Sequence, residues 1–258
     1  MITVKNLSKH FGGIKAVDGV NLHIDKGSIT GLVGPNGAGK TTMFNLIAGL
    51  YQPTEGEIIL DGEDVTELTS HQLFHKGLLR TFQIAHEFPT LSVLENLMMV
   101  PANQLGESLM NTWLRRTQIN EEEKALQIKA EEVVEFLSIS HLKNERAGNL
   151  SGGQKKLLEL ARTMMVDAKV VLLDEVGAGV NRTLLNQIGD AILRLNKERD
   201  YTFCMIEHDM DFISRLCDPV VVLAEGQILT SGTPDEIKSS DAVIEAYLGK
   251  GIKTEVTN

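Results

Sequence analysis

The sequence predicts an α/β fold, and three observations carry that expectation. The stretch Gly34-Pro35-Asn36-Gly37-Ala38-Gly39-Lys40-Thr41-Thr42 fits the pattern G-x-x-x-x-G-K-S/T and directly follows the apolar run Ile29 to Val33. Two later runs, Lys169 to Leu173 and Thr202 to Ile206, have the continuous apolar texture of strands buried on both faces, and each is followed by acidic residues. Segments of helical periodicity lie between them, the alternation that builds a parallel sheet covered by helices.

The first of these stretches reads as a nucleotide phosphate loop, and it has a physical logic. Gly34, Gly37 and Gly39 permit backbone geometry closed to other residues, so that successive N–H groups turn inward around phosphate oxygens. A helix starting near Lys40 and ending at Gly49 adds its positive N-terminal dipole. Lys40 is then placed to reach the β- and γ-phosphates, each charge-assisted bond contributing roughly 1.5–3 kcal/mol. The Thr41 hydroxyl is placed to ligate Mg²⁺.

Composition bounds the rest. With 258 residues, 42% of them hydrophobic, the chain can bury a sizeable core in one large domain or two small ones. A net charge of −10 without a long basic stripe argues against a nucleic-acid partner. The apolar runs fall far short of the ~20 residues a membrane-spanning helix needs. Met1 to Lys9 alternates like a strand and does not resemble a signal peptide, which implies a cytoplasmic chain. Cys204 and Cys217 lack metal-ligand spacing and are expected to be buried, reduced thiols.

In chain order, residues 2–10 and 20–24 are expected to be strands joined through Phe11-Gly12-Gly13, leaving Phe11 free to stack on an adenine ring or to pack at a hairpin end. Glu57 to Leu60 forms a further strand, and Ser70 to Leu78 a helix with Ser70 as its cap. Gln83 follows; a neutral carboxamide can ligate Mg²⁺ without adding charge beside a triphosphate. From about Ile84 to Asn149 the texture is helical. Its clearest element has Asn120 and Glu123 as a capping pair and Leu126, Ala130, Val133, Val134 and Leu137 as its core stripe. Glu107 to Gln118, with Trp113, Arg115 and Arg116, is expected to be an ordinary surface helix, partner contact being the alternative.

Leu150-Ser151-Gly152-Gly153-Gln154 opens another helix with Ser151 as its cap; the same geometry also offers an anion site. Asp174 and Glu175 sit at the carboxyl end of a buried strand, where α/β sheets place chemistry. Asp174 is expected to support Mg²⁺ and Glu175 to polarise an attacking water. His208, beyond the strand ending at Ile206, can donate from a neutral imidazole to a γ-phosphate oxygen. Further expectations are a helix over 182–197, a helix carrying Met210, Ile213 and Leu216, strands over 219–224 and 227–230, and a terminal helix to Leu248.

Taken in this order, the motifs resemble those of the ATP-binding subunit of ABC transporters over nearly the whole chain. The resemblance implies a P-loop NTPase fold with a RecA-like core, an antiparallel β subdomain and an α-helical subdomain, the first two over 1–83 and 167–258 and the last over about 84–166. It implies Phe11 as the adenine-stacking aromatic, Gly34 to Thr42 as Walker A, Gln83 as the Q-loop, and Leu150 to Gln154 as the signature. It further implies Val170 to Asp174 as Walker B, Glu175 as the catalytic base, Gly179 to Asn181 as part of the D-loop, and His208 as the switch histidine. ATP and Mg²⁺ are the implied ligands. Two such subunits, identical or homologous, are expected to meet head to tail, each ATP lying between one Walker A and the other's signature. Transmembrane permease subunits are the implied partners, with an extracytoplasmic solute-binding protein acting indirectly, at the cytoplasmic face of the membrane.

Shorter words, Arg80-Thr81-Phe82-Gln83, Leu94-Glu95-Asn96-Leu97, Gly179-Val180-Asn181 and Tyr247-Leu248-Gly249, resemble branched-chain or neutral amino-acid importers. Lipopolysaccharide-transport ATPases share several of them, and urea importers share most. Soluble ABC ATPases of repair or translation typically carry a long coiled-coil insertion, zinc-binding cysteines or tandem ATPase halves, and this sequence has none. Two positions depart from the family pattern: Val176 stands where proline usually follows the catalytic Glu, and Asn181 replaces the common aspartate. Asn181 is expected to keep its hydrogen bonding, and Val176 to loosen Glu175 by removing a rigid φ.

Overall fold

The computed structural model describes residues 1–81, 87–102, 104–166 and 168–248. In chain order the elements are β1 (Ile2–Phe11), β2 (Ile14–Ile24), β3 (Ile29–Val33), α1 (Lys40–Ile47), β4 (Glu55–Leu60), β5 (Glu63–Asp64), α2 (Ser70–His75) and β6 (Leu78–Arg80). Then follow α3 (Val93–Met98), α4 (Leu109–Leu114), α5 (Arg116–Phe136), α6 (Gly152–Met164), β7 (Val170–Asp174) and α7 (Arg182–Arg199). The chain continues through β8 (Thr202–Ile206), α8 (Met210–Leu216), β9 (Val220–Ala224), β10 (Gln227–Gly232), α9 (Pro234–Lys238) and α10 (Asp241–Leu248).

Every residue of β3, β7 and β8 is buried, as continuous apolar strands between helical layers must be. They form the middle of a six-stranded sheet ordered β10-β9-β3-β8-β7-β6, parallel except for β10. A second sheet, β2-β1-β4-β5, is antiparallel throughout. Side chains from both sheets and α1 share one core, including Ile2, Leu7, Leu32, Phe44, Leu172 and Ile206. Each such side chain contributes roughly 1.5–3 kcal/mol by leaving water. Parallel register then fixes the site: β7 and β8 align Asp174 with Ile206, so the residues after both strands emerge at one sheet edge.

The chain divides into two compact units. One comprises Met1–Arg80, Lys169–Val176 and Ile192–Asn258; the other comprises Thr81–Ala168 and Gly177–Ala191. The second unit is helical and takes in the turn and first half of α7, a segment that the sequence reading placed with the core. Its packing explains the assignment: a Cβ on Gly153 of α6 would fall 2.2 Å from Leu184 and 2.9 Å from Val180. Any larger residue there would have to displace the Leu184 and Val180 side chains.

Three local expectations change. The helix expected over 70–78 stops at His75, capped by Thr69 in a reciprocal pair with Gln72; Leu78 and Leu79 instead pair with Val170 and Val171, because an apolar pair gains more at the edge of the buried sheet than on a helix end. The long helix begins at Arg116, not at Asn120, and Glu122 accepts from the Leu105 N–H at 2.8 Å. Of its expected stripe, Ala130, Val133, Val134 and Leu137 are buried, whereas Leu126 is only half-buried. Finally, Glu107 to Gln118 is not one helix, since α4 ends at Leu114 and α5 begins at Arg116; it lies at the surface, with Leu109, Met110, Trp113 and Leu114 of α4 72–91% exposed, an apolar face of the kind that marks contact surfaces.

Candidate active site

The phosphate loop leaves β3 and passes directly into α1, whose first residue is Lys40. Gly39 precedes that helix at φ +101°, and no side chain caps it. A Cβ there would lie 2.3 Å from the Ala16 carbonyl oxygen, so the tight approach of β2 to the loop demands glycine. The Gly226 N–H donates to the Ala38 carbonyl at 3.0 Å and the Ala38 N–H to that of Pro35 at 3.2 Å, which pins the loop from outside and within. With no side-chain cap, the first-turn N–H groups and the helix dipole form a site suited to an anion.

Lys40 is buried, its ammonium donating to the carbonyls of Gly34 at 2.7 Å and Pro35 at 3.0 Å. Burial pulls its pKa below the ordinary lysine value, while the charges of Glu175 and Asp174 act in the opposite sense. Thr41 is exposed at the start of α1, and Thr42 is half-buried.

The acidic pair stands across from this loop within the same unit. Asp174 closes β7 with its side chain only 6% exposed. Glu175, the next residue, adopts φ +49°, an uncommon conformation for a non-glycine residue that costs roughly 1–3 kcal/mol. Its N–H donates to the Ile206 carbonyl at 3.0 Å, which anchors the turn to β8 in the absence of a proline at position 176. The Glu175 carboxylate then points at His208, Oε1 to Nε2 being 3.1 Å. A carboxylate beside an imidazole, at a sheet edge that also presents a buried lysine, is an arrangement for accepting and relaying a proton.

One member escaped the sequence reading. Arg80, the last residue of β6, donates to Asp174 Oδ2 at 2.7 Å and to Asn45 Oδ1 of α1. Both members of the ion pair are less than a tenth exposed, and breaking such a pair on one side costs ~3–5 kcal/mol. The signal was a lone Arg ending an apolar run, visible in the sequence only as part of a subfamily word.

No group of three or more His, Cys, Asp or Glu residues able to hold a metal occurs among the described residues. A hard cation here would therefore take Asp174 and the Thr41 hydroxyl and complete its shell with substrate oxygens and water, as Mg²⁺ ordinarily does. Gln83, the other expected ligand, lies outside the described residues.

In the helical unit, Ser151 caps α6 as expected. Its hydroxyl accepts from the Gln154 N–H at 3.4 Å, and Gln154 Oε1 accepts from the Ser151 N–H at 2.9 Å. Gly152 has open space where a side chain would be, whereas Gly153 is buried against Leu184. Asn181 keeps its hydrogen bonding by capping α7, its side-chain oxygen accepting from the Leu184 N–H at 3.0 Å. Phe11 is 45% exposed and meets Tyr51 edge-on at 5.6 Å, with the Lys9 ammonium 5.4 Å from its ring centre. Both Cys204 and Cys217 are buried and free, as anticipated.

Comparison with known proteins agrees with this geometry. Residues 17–178 match the family model described as ABC transporter, and residues 227–253 match that of the branched-chain amino acid ATP-binding cassette transporter. A probable branched-chain amino acid transport ATP-binding protein LivG of Archaeoglobus fulgidus is 39% identical over 252 residues, covering 96% of this chain and 95% of that protein. The high-affinity branched-chain amino acid transport ATP-binding protein BraF of Pseudomonas aeruginosa is 36% identical, with coverages of 97% and 98%. A crystal structure of a nucleotide-free ATP-binding cassette from an ABC transporter superposes with a TM-score of 0.83 at 37% identity, covering 97% of this chain and 99% of that one.

Proposed function

The chain belongs to the ABC transporter family, and on that premise we propose that it is the ATP-hydrolysing subunit of an importer for branched-chain or other neutral amino acids. The observation that carries the reading is the convergence of Lys40, Asp174, Glu175 and His208 at one sheet edge beside an uncapped helix start. The C-terminal match over 227–253 favours amino acids over urea or lipopolysaccharide as the transported class.

In this reading the loop N–H groups of Gly34 to Thr42 and the Lys40 ammonium hold the triphosphate, and Phe11 offers its ring to the adenine. Asp174, Thr41 and Gln83 would hold Mg²⁺, which supplies charge neutralisation at the β- and γ-phosphates. Glu175 accepts a proton from the attacking water, and the His208 imidazole donates to a γ-phosphate oxygen. In-line attack needs positioning and charge stabilisation more than covalent chemistry, and these residues supply both.

Ser151, Gly152, Gly153 and Gln154 would face the γ-phosphate of a second ATPase subunit, identical or homologous, paired head to tail. ATP then holds the pair closed, and hydrolysis lets it open. The unit of two sheets serves as core and antiparallel β subdomain, and the helical unit presents the Gln83 segment and the apolar face of α4 to transmembrane permease subunits. The described residues contain no helix long and apolar enough to cross a membrane. Attachment at the cytoplasmic face would therefore run through the permease, with a solute-binding protein acting on the other side.

The test is light scattering coupled to size exclusion on Glu175→Gln protein, with and without Mg²⁺ and ATP. A doubling of mass with ATP is expected if this chain forms both half-sites with itself. A monomer in both conditions contradicts self-pairing and transfers the second half-site to a different ATPase subunit.

A further inference from the structure

We propose that Arg80 sets the metal affinity of the site: its fixed charge neutralises Asp174, so that the divalent cation is admitted with the triphosphate and not alone. The inference rests on the reading of Asp174 as a Mg²⁺ residue and extends it to a residue that has no part in that reading.

The guanidinium is held from several sides. It donates to Asp174 Oδ2 at 2.7 Å and to Asn45 Oδ1, and it lies 6.0 Å from the centre of the Phe44 ring. Its backbone is locked in parallel register beside Leu172. The third nitrogen, Nε, is buried without a hydrogen-bond partner among the described residues. If Asp174 needed only orientation, a neutral donor would provide it without burying a charge and stranding a donor. What a guanidinium adds is permanent positive charge, since Arg stays protonated at any pH the protein meets.

The consequence follows from charge. A carboxylate alone at a strand end attracts a dication, whereas a carboxylate paired at 2.7 Å presents little net charge. At an effective dielectric near 20, a unit charge roughly 6–8 Å from a divalent ion weakens its binding by about three to four powers of ten, less what salt and water screen. A triphosphate brings its own negative charge and removes that penalty. Arg80 is thus a positioning residue that acts through Asp174.

The experiment uses Mn²⁺ as probe, its free fraction read by electron paramagnetic resonance on the full chain without nucleotide. The same proteins are titrated with a fluorescent ATP analogue in EDTA and at rising Mg²⁺. The parent is expected to bind the analogue in EDTA and to bind Mn²⁺ alone only weakly. Arg80→Gln is expected to tighten Mn²⁺ binding at least tenfold and to lower the half-saturating Mg²⁺ for the analogue similarly. Arg80→Lys, which keeps the charge, is expected to stay within about threefold of the parent. Should Arg80→Gln fail to fold, Asn45→Asp carries the test, because it adds a carboxylate beside Arg80 and is expected to tighten Mn²⁺ binding in the same sense. Folded variants that bind Mn²⁺ as weakly as the parent overturn the inference, as does an Arg80→Lys protein that behaves like Arg80→Gln. A parent that binds no nucleotide overturns the site reading itself.

Discussion

Substituting alanine at two glycines of the phosphate loop separates backbone strain from steric contact. At Gly39 the backbone sits at φ +101° and a Cβ would fall 2.3 Å from the Ala16 carbonyl oxygen. An L-residue forced into left-handed backbone space costs roughly 1–2 kcal/mol. A collision with a main-chain atom must move β2 or the loop, which adds roughly 1–3 kcal/mol by analogy with overpacked cores. Gly39→Ala should therefore destabilise the chain by about 2–5 kcal/mol. Gly37 has φ +80° but meets nothing within 4 Å, so Gly37→Ala should cost only the backbone term, about 1–2 kcal/mol. Urea unfolding of both variants beside the parent measures the two losses. Equal losses, or a larger one at Gly37, would refute the argument that contact with Ala16 shapes the loop.

Other expectations are as direct. The Cys204 thiol is held protonated by burial, its pKa pushed up to about 12 against 9.0 for a free thiol, so its stability is complete below pH 9 and is lost as pH rises from 9 to 12. Stability should fall by about 1.4 kcal/mol per pH unit in that window on its account, and unfolding of Cys204→Ala between pH 8 and 11 should show a correspondingly shallower decline. Ser151→Ala removes the hydroxyl that accepts from the Gln154 N–H and should cost about 1 kcal/mol in urea unfolding. Asn181→Asp keeps an equivalent cap on α7 and should leave stability within ~0.5 kcal/mol of the parent.

The parts legible in the sequence share a physical cause. Fully buried parallel strands must be apolar along their whole length, so Val170 to Leu173 and Thr202 to Ile206 announce themselves, and the polar residues that end such runs stand at the sheet edge. Ser151 was legible because a cap and its reciprocal Gln154 are three residues apart and need no tertiary information. What was missed depended on partners distant in sequence. Leu78 to Arg80 is too short to signal a strand by itself, and becomes one through pairing with β7, ninety residues away in the chain. The start of α5 was misplaced because Asn120 and Glu123 have the spacing of a capping pair, whereas the helix already runs from Arg116 with no side-chain cap to mark its start. Arg80 carries no local mark of its role, since an arginine is ordinarily exposed and only the approach of α1 and β7 encloses it. The apolar face of α4 was legible as composition, Leu-Met and Trp-Leu, but not as exposure, which depends on what packs against it.

The central claim is that Glu175 is the general base of ATP hydrolysis, and the most direct measurement is ATP turnover by the assembled transporter carrying Glu175→Gln, beside nucleotide affinity of the same protein. The account predicts that the parent hydrolyses ATP despite Val176, that the variant loses turnover by about 10²–10⁴-fold, and that its affinity for ATP is preserved. A variant that hydrolyses ATP at the parental rate would contradict it.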